Sequence, residues 1–213
     1  MSYKLVIFDL DGTILNTLND LCEASNFALK TYGLPSITLT ETRTFIGNGI
    51  RNLLQQASRN SSFIDEIVRT FKEYYTCHYN DFTEKHEGID QVIKYCIDNG
   101  IHMGVLTNKV ENIAKKLVEE HFPNQMEFIY GEMIGRPKKP DTSFLLSIIK
   151  DYGLSLEEVL YVGDSEVDVK LCNNAHIDGV YASYGFRGKE ELLKITHQII
   201  DTPLELLNYL GEE

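Results

Sequence analysis

The sequence predicts an α/β protein, a Rossmann-like parallel sheet flanked by helices, with an all-helical domain inserted after the first strand. Three observations carry this. Short apolar runs rich in strand formers recur along the chain, they alternate with segments of helical period, and the alternation stops over one long stretch near the start. Strands alternating with helices imply parallel pairing with helices on both faces.

The first run is Leu5-Val6-Ile7-Phe8, and similar runs fall at 101–106, 127–130, 159–162, 179–182 and 198–200. Helical segments are read between them at 88–99, 110–121 and 141–152. Asn99-Gly100 and Tyr152-Gly153 mark helix ends, where glycine accepts a left-handed backbone at no steric cost. Ser155-Leu156-Glu157-Glu158 and Thr202-Pro203-Leu204-Glu205 match capping boxes, the second with proline at the first helical position. From 16 to 83 only helical spacings occur. They are Leu18-Leu21-Cys22-Ser25-Ala28-Leu29-Tyr32, Ile50-Leu53-Leu54-Ala57, and Phe63-Ile64-Ile67-Val68-Phe71-Tyr74-Tyr75. The expected division is a core domain of 1–15 with 84–213, and a helical domain of 16–83.

The length of 213 residues suits one large α/β domain carrying an insert, and 43% hydrophobic residues suffice for a core. No window approaches the roughly 18 apolar residues of a membrane span. The opening apolar run is broken by Asp9 and is too short for a signal peptide, so a cytoplasmic location is expected. Cys22, Cys77, Cys96 and Cys172 are widely spaced with no C-x-x-C pair, which points to reduced, buried or half-buried side chains. The six histidines are scattered and form no metal-binding pair at i, i+4. A net charge of −12 argues against nucleic acid and anionic membranes as partners. The stretch 16–83 holds 7 acidic and 6 basic residues, leaving 25 and 14 elsewhere, so the charge belongs to the core. An anionic substrate there would need a bound cation and well-placed basic side chains.

The chemistry concentrates at strand ends, where open α/β sheets bind ligands. Asp9-Leu10-Asp11-Gly12-Thr13 follows the first run, and carboxylates two apart on extended chain face one side. Crowded carboxylates repel unless a proton or cation relieves them. Asp164 and Asp168 follow the run at 159–162; with Asp9 they offer hard oxygen ligands suited to Mg²⁺. Thr107 and Asn108 end the run at 101–106 with a hydroxyl and an amide, and Lys138-Lys139-Pro140-Asp141 supplies a lysine for a phosphate. Each motif alone also has a plainer reading: D-G as a turn, Asp164 or Thr107 as a helix cap, one lysine as a solvated charge.

Together, Asp9-x-Asp11-Gly12-Thr13, Thr107, Lys139-Pro140 and Gly163-Asp164-x-x-x-Asp168 resemble the four ordered motifs of the haloacid dehalogenase superfamily. The insert after the first motif resembles the helical cap of its phosphoglycolate phosphatase-like branch. Phe45-Ile46-Gly47-Asn48-Gly49 is similar to that branch's cap loop, and Tyr184-Gly185-Phe186-Arg187 to a later segment. The resemblance implies a Mg²⁺-dependent phosphatase acting on a small phosphomonoester, with 2-phosphoglycolate the leading candidate, in a monomer or homodimer. It implies Asp9 as nucleophile, Asp11 as acid and then base, and Thr107 and Lys139 on the phosphoryl group. Metal would be held by Asp9, the Asp11 carbonyl and Asp164, with Asp168 nearby. Asn108, Gly47, Asn48 and Gly49 would contact substrate, and Arg43 or Arg51 could meet its carboxylate. Thr142 departs from the usual K-P-x-P, which leaves Lys138 as a rival; adjacency to Pro140 favours Lys139. A sugar phosphomutase of the same branch, a response-regulator receiver and an idle phosphate-binding regulator are the competing readings. The large insert argues against the receiver, and the presence of both Asp9 and Asp11 against the regulator.

Overall fold

The computed structural model describes residues 3–47 and 49–211. It divides into two compact units, Met1–Leu15 with Lys85–Glu213 and Asn16–Glu84.

The first unit is built on a parallel sheet of β1 (Leu5–Phe8), β2 (His102–Val110), β3 (Phe128–Glu132), β4 (Val159–Gly163), β5 (Asp178–Ala182) and β6 (Ile199–Ile200). Their spatial order is β3-β2-β1-β4-β5-β6, with every registered pair parallel. This is the doubly wound order whose strand sequence reverses beside β1, the place where such sheets bind ligands. Strand β1 sits between β2 and β4 with all four side chains fully buried, which is why it reads as an unbroken apolar run. Leu5 and Ile7 pack with Tyr161, Leu145, Ile148 and Leu171 in one hydrophobic core cluster. Each such large side chain contributes roughly 1.5–3 kcal/mol by leaving water.

Among its described residues the second unit holds four helices, α1 (Leu18–Thr31), α2 (Leu39–Phe45), α3 (Ile50–Ala57) and α4 (Ile64–Cys77). Most of the expected faces are buried: Leu21, Ala28 and Leu29 on α1, Leu53, Leu54 and Ala57 on α3, Ile67, Phe71 and Tyr75 on α4, whereas Phe63 just before α4 is exposed. Buried Asp20 accepts hydrogen bonds from Phe82 N and Thr83 Oγ1, tying the start of α1 to the end of the unit. Helix α2 was not among the expected patterns. Its signal was the capping box of Thr38 and Glu41, which forms in full.

The flanking helices of the first unit include α5 (Ile89–Asp98), α6 (Glu111–His121), α7 (Ser143–Asp151) and α8 (Glu166–Ala175). Gly100 and Gly153 adopt the left-handed backbone expected at helix ends. The Ser155 capping box forms, on a short 3₁₀ turn. The second expected box does not: Glu205 reaches back to Asp201 N, so Thr202 starts its turn without the reciprocal cap. Strand β2 runs to Val110, past the expected end at 106, with its register shifting between Leu106 and Val110. Cys22, Cys96 and Cys172 are buried and free, whereas Cys77 at the end of α4 is exposed, contrary to expectation. Among the described residues no helix is long and apolar enough to cross a membrane.

Candidate active site

The site lies at the carboxyl ends of β1, β2 and β4. Asp9 directly follows β1, and its N–H donates to Val162 O, extending the ladder by one residue before the chain turns. Gly12 makes that turn at φ +82°, and a Cβ there would lie 2.2 Å from Asp164 Oδ2. Glycine is therefore required twice over, by backbone conformation and by the close approach of the second acidic loop. Gly163 closes β4, and Ser165 starts α8 with a capping box completed by Asp168. The cap that was one reading of Asp164 thus falls to Ser165 and Asp168.

Lys139 organises the charges. Its Nζ lies 2.7 Å from Asp168 Oδ1, 2.8 Å from the Tyr161 hydroxyl and 3.0 Å from Asp9 Oδ1, and its side chain is only 4% exposed. Burial alone would lower its pKa, but the Asp168 and Asp9 carboxylates hold the ammonium well above its ordinary value. Burial raises the Asp9 carboxyl to about 6; Lys139 and a hydrogen bond from Thr107 pull it down, while Asp168 and Asp11 push it up. Asp168 is fully buried, yet Lys139 and hydrogen bonds from Lys139, Ser165 and Tyr161 keep it below the usual carboxylate range. Asp164 is pushed well above that range by burial and by the charges of Asp168 and Asp9.

Asp9, Asp164 and Asp168 offer oxygens within 4.8 Å of one another. One ammonium cannot balance three buried carboxylates. Asp9 Oδ1 is moreover buried without a well-aligned hydrogen bond, its lysine contact being an ion pair only. An all-carboxylate donor set with surplus negative charge and an under-satisfied oxygen fits a hard metal cation.

Residues 6–182 match the model of the haloacid dehalogenase-like hydrolases. The chain belongs to this family. It is 32% identical over 191 residues to a phosphoglycolate phosphatase of Pseudomonas savastanoi pv. phaseolicola, covering 86% of this chain and 70% of the relative. It is 31% identical to phosphoglycolate phosphatase 1 of Pseudomonas aeruginosa, covering 96% and 78%. A solved structure from Lactobacillus delbrueckii subsp. bulgaricus superposes with a TM-score of 0.94 at 29% identity, covering 100% of both chains.

As a hydrolase of this family the chain brings Asp9, Thr107, Lys139, Asp164 and Asp168 together at its acidic centre, with Asp11 two residues on from Asp9. Of the two neighbouring lysines, Lys139 lies at the acidic centre and Lys138 is exposed, paired with Glu132 at 2.6 Å. Asn108, expected beside phosphate, also clamps the Lys139 backbone. Its Oδ1 accepts from Lys139 N at 2.9 Å and its Nδ2 donates to Lys139 O at 3.1 Å. The segment from Tyr184 to Arg187 folds onto the acidic centre. Phe186 N donates to Asp164 Oδ2 at 2.6 Å, and a Cβ on Gly185 would lie 2.5 Å from both Asp164 Cβ and Gly12 O.

Gly47 and Gly49 lie in the helical unit between α2 and α3, both at positive φ; Asn48 lies outside the described residues. Arg51 is exposed and paired with Asp65 at 2.6 Å, and Arg43 is exposed on α2. Sequence reasoning missed two residues. Tyr161 in β4 is fully buried with its hydroxyl 2.9 Å from Leu106 O and 3.1 Å from Asp168 Oδ1, joining two strands and the lysine. Its signal was a phenol inside an apolar run, where the hydroxyl must find a partner. Lys109 is buried with Nζ 2.8 Å from Asp11 Oδ1. Placing the strand end at 106 left it in a turn.

Proposed function

We propose that the protein is a phosphatase that hydrolyses a small phosphomonoester through an aspartyl-phosphate on Asp9, with Mg²⁺ as its metal. The observation that carries this is the pairing of Asp9 with a buried lysine at the end of β1, beside a second, separately paired carboxylate, Asp11. Asp9 attacks phosphorus, a covalent strategy that splits one difficult displacement into two. Lys139 and Thr107 neutralise charge on the phosphoryl oxygens, where fixed donors cost no reorganisation. Asp11 protonates the leaving alcohol and then takes a proton from the attacking water. Asp9, the Asp11 carbonyl and Asp164 would hold the metal, which supplies charge neutralisation at the transferring phosphoryl group. Asp168 supports the arrangement by fixing Lys139 and the loop that carries Asp164.

The helical unit serves in this reading as a cap selecting the leaving group, with its Gly47-Asn48-Gly49 loop contacting substrate. 2-Phosphoglycolate is the leading candidate because relatives at 32% and 31% identity are phosphoglycolate phosphatases. The free cysteines accord with a cytoplasmic setting. A panel of small phosphomonoesters assayed with Mg²⁺ and with chelator tests the proposal. Metal-dependent turnover, led by 2-phosphoglycolate and abolished in Asp9→Asn, is expected. Turnover that survives Asp9→Asn, or that ignores the chelator, overturns it.

A further inference from the structure

We infer that Lys109 is a positioning residue that aims the Asp11 carboxylate, so that its loss impairs proton transfer to and from the substrate rather than phosphate binding; this rests on the phosphatase reading above. Lysine is among the residues least often buried, and removing an ammonium from water costs several kcal/mol unless a counter-charge compensates. The Lys109 side chain is 3% exposed, and its ammonium meets Asp11, itself 15% exposed.

The placement has a regularity. Strand β2 runs beside β1, and the two functional residues of each chain segment are two apart: Asp9 and Asp11, Thr107 and Lys109. The Thr107 hydroxyl serves Asp9, and the Lys109 ammonium serves Asp11. Two buried lysines thus divide the two carboxylates between them, Lys139 taking the nucleophile and Lys109 the acid–base group. The Lys109 backbone is held on two sides. Its N–H donates to Thr107 Oγ1 at 3.2 Å, and on β3 a Cβ at Gly131 would lie 2.4 Å from Lys109 O. That glycine allows the neighbouring strand to press against the lysine's own peptide, so the residue is fixed as well as buried.

The proton steps show what the aim is for. As an Asp9 oxygen bonds to phosphorus and the bond to the leaving oxygen breaks, the Asp11 proton passes to that oxygen. In the second half a water oxygen bonds to phosphorus, its proton passes to Asp11, and the Asp9–phosphorus bond breaks. Both transfers need the carboxyl oxygen within hydrogen-bond reach of its partner. A carboxylate free to rotate about its side-chain bonds meets that condition a fraction of the time; one tethered at 2.8 Å is already placed.

The test compares Lys109→Met, Asp11→Asn and the double variant on 2-phosphoglycolate and p-nitrophenyl phosphate, with acid-quench labelling of the phospho-enzyme. A full acid–base contribution is about 10²–10⁴-fold, and mispositioning forfeits part of it. Lys109→Met should therefore lower kcat on the alkyl substrate about 10- to 100-fold. Phospho-enzyme formation from the aryl ester, which leaves without a proton, should fall far less, and the phospho-enzyme should accumulate because its hydrolysis needs the base. In the Asp11→Asn background the Lys109 substitution should add little, and Lys109→Arg should recover part of the loss. Inorganic phosphate affinity should stay near wild type. If Lys109→Met cannot fold beside a charged Asp11, the double variant, which removes both charges, still reports what the Lys109 substitution adds in the Asp11→Asn background, where a further large loss overturns the inference. Additive losses, equal losses in the rate of phospho-enzyme formation from the two substrates, or weakened phosphate binding would each overturn the inference. The phosphatase reading fails by a different sign, turnover that survives Asp9→Asn.

Discussion

Replacing Asp9 by asparagine should stabilise the metal-free protein at neutral and alkaline pH while removing its activity. In the folded state burial raises the Asp9 carboxyl from 3.8 to about 6. Ionising it costs more in the folded than in the unfolded chain. For a raised carboxyl the penalty is absent below the unfolded value, grows between about pH 4 and 6, and is complete above 6. Two pKa units at 1.36 kcal/mol each put it at about 3 kcal/mol, a sizeable share of the 5–15 kcal/mol typical of a folded protein. Urea unfolding in chelator at pH 4, 6 and 8 would follow it. The variant should match the wild type at the lowest pH and exceed it by about 2–3 kcal/mol at pH 8. Added Mg²⁺ should narrow the gap by stabilising the wild type, whose folded state alone holds the complete ligand set. A variant less stable than the wild type at pH 8 without metal, or a gap indifferent to pH, would refute the account of Asp9 as a desolvated, under-compensated carboxylate.

Lys139→Met should lower kcat/KM by roughly 10²–10³, the scale of losing one transition-state donor, while Lys138→Ala, whose partner Glu132 lies outside, should stay within about twofold in steady-state assays. Asp168→Asn removes an acceptor shared by Lys139, Tyr161, Ser165 and the Asp164 N–H, so denaturant melts at pH 7 should show a loss of about 3–5 kcal/mol. Because the Asp168 carboxyl is lowered on folding, that difference should shrink as pH falls through the carboxylate range. Gly49→Val should impair 2-phosphoglycolate more than an aryl phosphate in kcat/KM; equal loss on both would remove the case for selection by the helical unit.

The sheet was legible because β1 and β4 are buried on both faces and show as uninterrupted apolar runs. The acidic residues were legible because each follows such a run. What escaped depended on contacts between distant segments. Lys109 lies in the irregular end of β2, between Leu106 and Val110, where the register with β3 shifts. No local pattern marks that. Asn108 has the chemistry of a phosphate ligand, and only the fold shows that its amide also holds the Lys139 backbone. Tyr161 counts as one more apolar residue until Lys139, 22 positions earlier, is placed beneath its hydroxyl. Glu205 satisfied the spacing of a capping box yet found Asp201 first, a choice among neighbouring N–H groups that spacing alone does not make.

The central place of β1 bears on how the chain is made. Its hydrogen-bonded neighbours are His102–Val110 and Val159–Gly163, so β1 waits for partners synthesised far later. Until Val162 is available, the N–H of Asp9 has no carbonyl to bond and Leu5-Val6-Ile7-Phe8 has an open edge. Such a segment is hazardous in a nascent chain, because an apolar strand with free edges pairs readily with other chains. The second unit is one continuous segment, Asn16–Glu84, and its helices can form during that interval. Truncation before β4 should leave them folded and β1 open along its β4-facing edge, a fragment that aggregates through that strand.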